Sequence, residues 1–445
     1  MKSLDKEDTM SNTHFLLSNR IAPRLLLLAA VLGLLVTTIQ PAQAQTLTTL
    51  YSFAGGAAGG LPNGGLAIDG QGNLYGTTFY GGWISKRRPV AYGTVFKLAP
   101  TGAETVLHSF TRYPDGGSPY AGLIIDAQGN LYGTTSQGGT GTCNGPRRGC
   151  GTVLELAPSG AETVLYNFQG WPDAQNPSYG GLIMDAQRNL YGATVNGGYY
   201  KRTCHYGGRH GPHTCGTVFE VTPTGSEKVL YMFAGPPDGL SPWGGVIRDA
   251  QGNLYGTTEL GGAYGGAYGY AYGCGTVFKL TPTGVETVLH SFCSSSADGA
   301  FPRGDLVLDA QGNLYGTTGR GGSQGRGTVF QLTPDGTETV LYNFTGGADG
   351  DGPSGLIMDL QGNLYGTTPN GGAYSYGTVF ELTPAAIETV LYSFCSKSGC
   401  PDGANPSSGL VMDSEGNLYG TTASGGIVGG NCGSSGCGTV FKLTP

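Results

Sequence analysis

Between residues 204 and 215 the chain sets Cys204, His205, His210, His213 and Cys215 in one short stretch. Two thiolates and two imidazoles make a ligand set for a tetrahedral Zn²⁺ ion. The spacing is irregular for such a site, and the related stretches at Cys143/Cys150 and Cys432/Cys437 hold a cysteine pair without histidines. A disulfide with surface histidines is therefore the favoured expectation, and metal the weaker one. Binding chemistry is offered by Tyr120, Tyr179, Trp243 and Arg303, which recur at intervals of roughly sixty residues. Flat aromatic faces with polar edges suit sugar rings or protein anchors. Lys86, Arg87, Arg88, Arg147, Arg148, Lys201, Arg202 and Arg209 form a basic arc that could receive an anionic polymer, with a solvated loop surface as the default.

Catalytic motifs are nearly absent. Gly321-Gly322-Ser323-Gln324-Gly325 matches G-x-S-x-G, but no helical pattern follows it, as a nucleophile elbow requires. There is no H-E-x-x-H and no P-loop, so no catalytic residue and no cofactor is assigned. Arg248, Arg303 and Asp305 are the polar residues expected near one axis, with Arg248 and Asp305 expected to pair as a salt bridge.

What positions these residues is a repeat. G-N-L-Y-G-T-T recurs seven times, centred on Tyr75, Tyr132, Tyr191, Tyr255, Tyr315, Tyr365 and Tyr419, and G-T-V-F follows each copy. A third piece, E-T-V-L-Y-S-F, occurs six times, ending at Phe110, Phe168, Phe233, Phe292, Phe344 and Phe394. The seventh copy is T-L-T-T-L-Y-S-F, ending at Phe53 near the other end of the sequence. Each unit reads as four strands, because β-branched and aromatic runs alternate with turn residues and no helical period survives after residue 45. Blade four is expected at 245–249, 253–258, 275–281 and 286–292. Four-stranded units repeated radially make a propeller, so the expectation is an all-β, seven-bladed β-propeller closed by the N-terminal strand.

The unit resembles the Gloeo/Verruco (GloVer) tandem repeat of exported bacterial proteins over about residues 46–445, and its D-x-x-G-N-L-Y core is more weakly similar to NHL and SMP30-like propeller blades. The resemblance implies export and no assigned activity, and it carries no catalytic residue over. Anchored members continue beyond the repeats. Nothing after Pro445 could sort or span, so secretion or periplasmic residence is expected.

Repetition separates scaffold from site. Asp69 and its six equivalents should make turns, and the Asp of D-G-x-x-P (Asp115, Asp173, Asp238, Asp298, Asp349, Asp402) should cap crossovers, although carboxylates also suit Ca²⁺. His108 and His290 stand where other repeats carry Tyr, and are expected as strand residues and not as bases. The loops that vary in length share one face, where binding residues concentrate. Its inner rim, taken three residues before each first-strand Leu or Val, reads Asn63, Tyr120, Tyr179, Trp243, Arg303, Pro353 and Ser407. Further aromatics on these loops are Trp83, Tyr199, Tyr200, Tyr206, Tyr264, Tyr268, Tyr270, Tyr272, Tyr374 and Tyr376.

Arg20 and Arg24, the apolar run 25–36 and Ala42-Gln43-Ala44 read as a signal peptide over residues 1–44, with Met10 an alternative start. Its removal takes four cations and three anions, shifting the net charge of −7 to −8. An acidic chain without a basic tail is a poor nucleic-acid binder. The ten cysteines can all pair locally, as Cys143/Cys150, Cys204/Cys215, Cys274/Cys293, Cys395/Cys400 and Cys432/Cys437, which fits export. All but Cys274/Cys293 are neighbours within single loops, so the bridges are expected to pin loops and not to create the fold. The sequence thus favours an exported, monomeric, non-catalytic propeller that binds extracellular polysaccharide or a surface protein and has no membrane span once the leader is removed. The alternatives are a glycan lyase or hydrolase with its site at the channel mouth, or a structural envelope protein.

Overall fold

The computed structural model describes residues 45–82, 92–143, 149–177, 179–201, 204, 214–264 and 272–444. Seven antiparallel sheets carry the seven repeats. Blade four runs Val246–Arg248, Leu254–Thr258, Thr276–Leu280 and Glu286–Ser291, each strand within two residues of its expected bounds. Blade seven joins Val411–Met412, Leu418–Thr422 and Thr439–Thr444 to the N-terminal strand Thr46–Ser52, with Thr46 opposite Thr444 and Ser52 opposite Thr439. The ring therefore closes as the sequence implies. Among the described residues there is no α-helix, and no helix long and apolar enough to cross a membrane.

Each motif has a mechanical reason. In the first-to-second hairpin of blade one, Asp69 Oδ1 accepts the N–H groups of Gln71 and Asn73 at 2.9 Å, and Oδ2 accepts Asn73 Nδ2 at 2.8 Å and the Tyr75 hydroxyl at 2.9 Å. Burial opposes ionisation of Asp69, but these four bonds outweigh it and hold the carboxyl below its usual range. The same Asp–Asn–Tyr arrangement recurs through Asp413 in blade seven. The second Thr of G-T-T bonds the Thr of G-T-V-F in every blade, for example Thr78 to Thr94 at 2.8 Å. Gly76, which opens the same G-T-T and pairs with Phe96, has no room for a side chain, because a Cβ would stand 2.7 Å from the Phe96 ring.

Blades adhere through phenylalanine. The Phe closing one fourth strand packs edge-on against the G-T-V-F Phe of the next blade, as in Phe53–Phe96 at 5.2 Å and Phe394–Phe441 at 5.1 Å. Where blade two substitutes Leu154, Phe110 joins that residue in the same core. These rings are fully buried, and edge-to-face pairs add about 0.5–1.5 kcal/mol beyond their area.

All five expected disulfides are present: Cys143–Cys150, Cys204–Cys215, Cys274–Cys293, Cys395–Cys400 and Cys432–Cys437. Cys274 and Cys293 face each other across their hairpin at a Cα separation of 5.9 Å. At Cys150 and Cys437 the bridges also reach the packed interior. Both are buried and belong to the core, Cys150 with Val153 and Phe168, Cys437 with Phe53 and Val440. The reason is position: each immediately precedes a G-T-V strand, where the chain leaves the loop and enters the packed interior. Their partners Cys143 and Cys432 are only partly buried, so each bridge ties a loop to a core. The crossover aspartates cap as expected: Asp238 accepts the Ala234 and Gly239 N–H groups and the Tyr231 hydroxyl.

Candidate functional site

The first strands of all blades end beside one axis, and the positions preceding them form the mouth of a cavity of about 650 Å³. Asn63, Tyr120, Tyr179, Trp243, Arg303, Pro353 and Ser407 all line it. The ring read from repeat spacing is thus one physical rim. Small residues just below it let the blades converge. Gly65, Gly122, Gly181, Gly245, Gly355 and Gly409 occupy the equivalent position in six blades. A Cβ on Gly122 would come 2.8 Å from the Gly65 carbonyl of the neighbouring blade.

Blade five breaks this pattern with Asp305. Its side chain lies in the channel, where Oδ1 accepts the Gly245 N–H at 2.6 Å. It is wetted by the lumen yet encircled by blades. That enclosure raises the carboxyl above its ordinary range, against the lowering effect of the Gly245 and Gly181 amides. The expected Arg248–Asp305 salt bridge does not form. Arg248 points outward, exposed, with its guanidinium 5.9 Å from the Tyr191 ring, and Asp305 is committed to backbone amides.

The aromatic residues form a continuous wall. Phe79 and Tyr120 centroids lie 4.2 Å apart, Tyr120 and Tyr179 4.2 Å, and Tyr179 and Trp243 4.2 Å with their planes only 4° apart. The rings pack along consecutive blades and leave the cavity open beside them. Burial raises both phenols, Tyr179 more strongly because Tyr120 adds to it, so neither ionises near neutrality. Arg303 extends the wall: its guanidinium sits 5.4 Å from the Trp243 ring and donates from Nε at 2.9 Å and Nη2 at 2.5 Å to Glu259 Oε1. The Glu259 side chain is 3% exposed and that of Arg303 53%, so the acid is a buried clamp and the arginine its accessible tip. Across the mouth, Asp351 pairs with Arg326 at 2.8 Å and approaches Arg320 at 3.9 Å.

Sequence reasoning missed Phe79 and Glu259. Both follow the Thr-Thr pair, a column that otherwise reads Ser136, Val195, Gly319, Pro369 and Ala423, so an irregularity was there to be read. The thiols proposed for metal, Cys204 and Cys215, are joined as a disulfide, while His205, His210 and His213 lie outside the described residues. Of the basic arc only Lys201 is described, and it is exposed; Lys86, Arg87, Arg88, Arg147, Arg148, Arg202 and Arg209 lie outside, as do Trp83, Tyr206, Tyr268 and Tyr270. Tyr199, Tyr200, Tyr264, Tyr374 and Tyr376 are exposed.

The family described as the Gloeobacter/Verrucomicrobia repeat matches residues 35–206 and 264–445. No curated protein matches the sequence. Among solved structures, virginiamycin B lyase from Staphylococcus aureus superposes with a TM-score of 0.55 at 13% identity, covering 90% of this chain and 99% of the lyase. The extracellular domain of a putative hybrid two-component system from B. thetaiotaomicron gives 0.53 at 12% identity, covering 89% of this chain and 39% of that one. At such identity the likeness is one of fold.

Proposed function

This chain belongs to the Gloeobacter/Verrucomicrobia repeat family, and from that premise we propose that it is an exported, non-catalytic propeller that captures an extracellular polysaccharide at its channel mouth. The observation that carries this reading is the open cavity walled by Tyr120, Tyr179 and Trp243 with Arg303 at its end. Sugar rings stack their C–H faces on aromatic planes, and the Arg303 guanidinium supplies donors for hydroxyl or carboxylate groups. The volume lies within the ordinary range of ligand sites, about 300–1,000 Å³. Five disulfides fit an oxidising compartment outside the cytoplasm, which agrees with a leader over residues 1–44.

Binding is preferred to catalysis because the acids at the mouth are already engaged. Glu259 holds Arg303, Asp351 holds Arg326, and Asp305 holds the Gly245 amide. A glycosidase needs two carboxyls free to face one glycosidic bond. A glycan array probed with purified protein, beside a Tyr120→Ala/Tyr179→Ala/Trp243→Ala variant, tests the reading. Glycan binding by the parent that disappears in the folded variant supports it. Binding indifferent to the three substitutions, or none by the parent, overturns it and favours a structural role.

A further inference from the structure

Two of the seams between blades carry histidine where the others carry tyrosine. His108, on the fourth strand of blade one (Glu104–Ser109), meets Asp115 of the following crossover and Glu162, which opens the fourth strand of blade two (Glu162–Asn167). His290 on Glu286–Ser291 meets Asp298 and Glu338 in the same way, three blades further on. In each trio an imidazole nitrogen and one oxygen of each carboxyl lie within 4.8 Å of one another. We propose that these two trios are divalent-cation sites of the Zn²⁺ class, binding the metal between blades one and two and between blades four and five.

The geometry fits. His108 Nε2 stands 3.2 Å from Asp115 Oδ2, and His290 Nε2 3.4 Å from Asp298 Oδ2. Two ligand atoms that each sit about 2.0–2.1 Å from a tetrahedral Zn²⁺ lie about 3.3 Å apart. At the second site His290 Nε2 is buried and stands 3.4 Å from Asp298 Oδ2, long for a hydrogen bond. Glu162 Oε1 and Glu338 Oε1 are likewise buried without a partner. The aspartates are held by the crossovers. Asp115 Oδ1 takes the Thr111 hydroxyl at 2.5 Å, Asp298 Oδ1 takes the Gly299 N–H at 2.7 Å, and Ser294 reaches Asp298 Oδ2. Such contacts orient a metal-binding carboxylate. The Asp298 side chain is only 3% exposed and that of His290 14%. A buried imidazole facing two carboxylates is a site that a cation would complete.

The other seams serve as internal controls. Tyr166, Tyr231 and Tyr342 donate their hydroxyls to Asp173, Asp238 and Asp349 at 3.0, 3.0 and 3.1 Å, beside Glu227, Glu286 and Glu388. A phenol satisfies the aspartate but is no ligand at neutral pH. There the glutamates rise to about 7, whereas Glu162 beside His108 rises only to about 6, because the imidazole opposes burial. The two remaining seams each lack an acid: residues 54–62 contain no Asp, and Thr46–Ser52 contains no carboxylate.

The test uses the full chain with His14, His205, His210 and His213 changed to Ala, which leaves His108 and His290 as the only histidines. Metal-free protein is titrated with Zn²⁺ at pH 7 by calorimetry, and bound zinc is counted after gel filtration. The expected stoichiometry is two. It should fall to one in either His108→Tyr or His290→Tyr and to zero in the double variant. These variants install the residue that the other seams already carry, so they should fold. Tyr342→His should raise the count from two to three, since Asp349 and Glu388 are in place. A count below two in the parent, or one unmoved by the His→Tyr changes, overturns the proposal.

Discussion

Replacing Glu227, Glu286 and Glu388 together by Gln should remove a pH dependence of stability that the seams create. Each glutamate opens a fourth strand, and Oε1 of each is buried without a hydrogen-bond partner. Burial first, and then the charge of Asp173, Asp238 or Asp349, lifts each carboxyl from 4.5 to about 7. The folded state therefore holds protons that the unfolded chain releases. This contribution is fully present below about pH 4.5 and is lost as pH rises through about 7. A rise of that size caps at about 3 kcal/mol per carboxyl. These side chains are only partly buried, and solvent screening reduces the figure to about 1 kcal/mol each, or ~3 kcal/mol for three. At ~2.1 cal/mol/K per residue, a propeller of roughly 400 residues has a melting entropy near ~0.8 kcal/mol/K, so the effect is about 4 °C. Thermal unfolding at pH 5 and pH 8 and constant ionic strength reads it directly. Parent protein should lose about 4 °C more than the Gln variant between those pH values. The hairpin aspartates such as Asp69 are held low and titrate below this window. Equal pH slopes in the two proteins, or a parent that gains on the variant as pH rises, would refute the reasoning.

Other outcomes follow from single contacts. Phe96→Ala empties a fully buried ring site against Phe53 and should cost about 3–5 kcal/mol in denaturant unfolding. Gly76→Ala drives a Cβ to 2.7 Å from Phe96 and should cost about 1–3 kcal/mol, a penalty that Phe96→Leu in the same chain should partly relieve. Asp305→Gly installs the residue of the other six blades, so its cost should stay below about 1 kcal/mol, because channel water can take over the freed amides. Cys274→Ala/Cys293→Ala opens the longest disulfide loop, with a sequence separation of 19, and should cost about 3 kcal/mol, against about 2 for the Cys395–Cys400 pair.

Blade number, strand order, closure, disulfide pairing and the axial rim were all legible in the sequence, because each repeats at a fixed offset and repetition converts spacing into position. What escaped it depends on approach between repeats. His108 reads as a strand residue, and it is one. That Asp115 and Glu162 converge on it follows only from the tilt of one blade on the next. The burial of Cys150 and Cys437, loop residues just ahead of their strands, likewise depends on Phe168 and Phe53 closing over them. The Arg248–Asp305 pairing failed for a related reason. Arg248 ends the first strand of blade four and points outward, whereas Asp305 precedes the first strand of blade five and stays at the axis. Glu259 was hidden because a buried acid beside G-T-T looks like any exposed strand-end residue until Arg303 is placed over it.

The clasp of blade seven has a mechanical consequence. Thr46 and Thr444 are partners at the same end of their antiparallel pair, so the backbone enters and leaves the ring side by side. Tension applied across those two points would load the rungs one after another, as a zipper is loaded, and not all together in shear. None of the five disulfides crosses this pair. A molecule stretched between two anchors should therefore part first at Thr46–Ser52, at low force, and expose the raw margin of Thr439–Thr444 while six blades stay folded. Held by one end only, the same ring feels no such load.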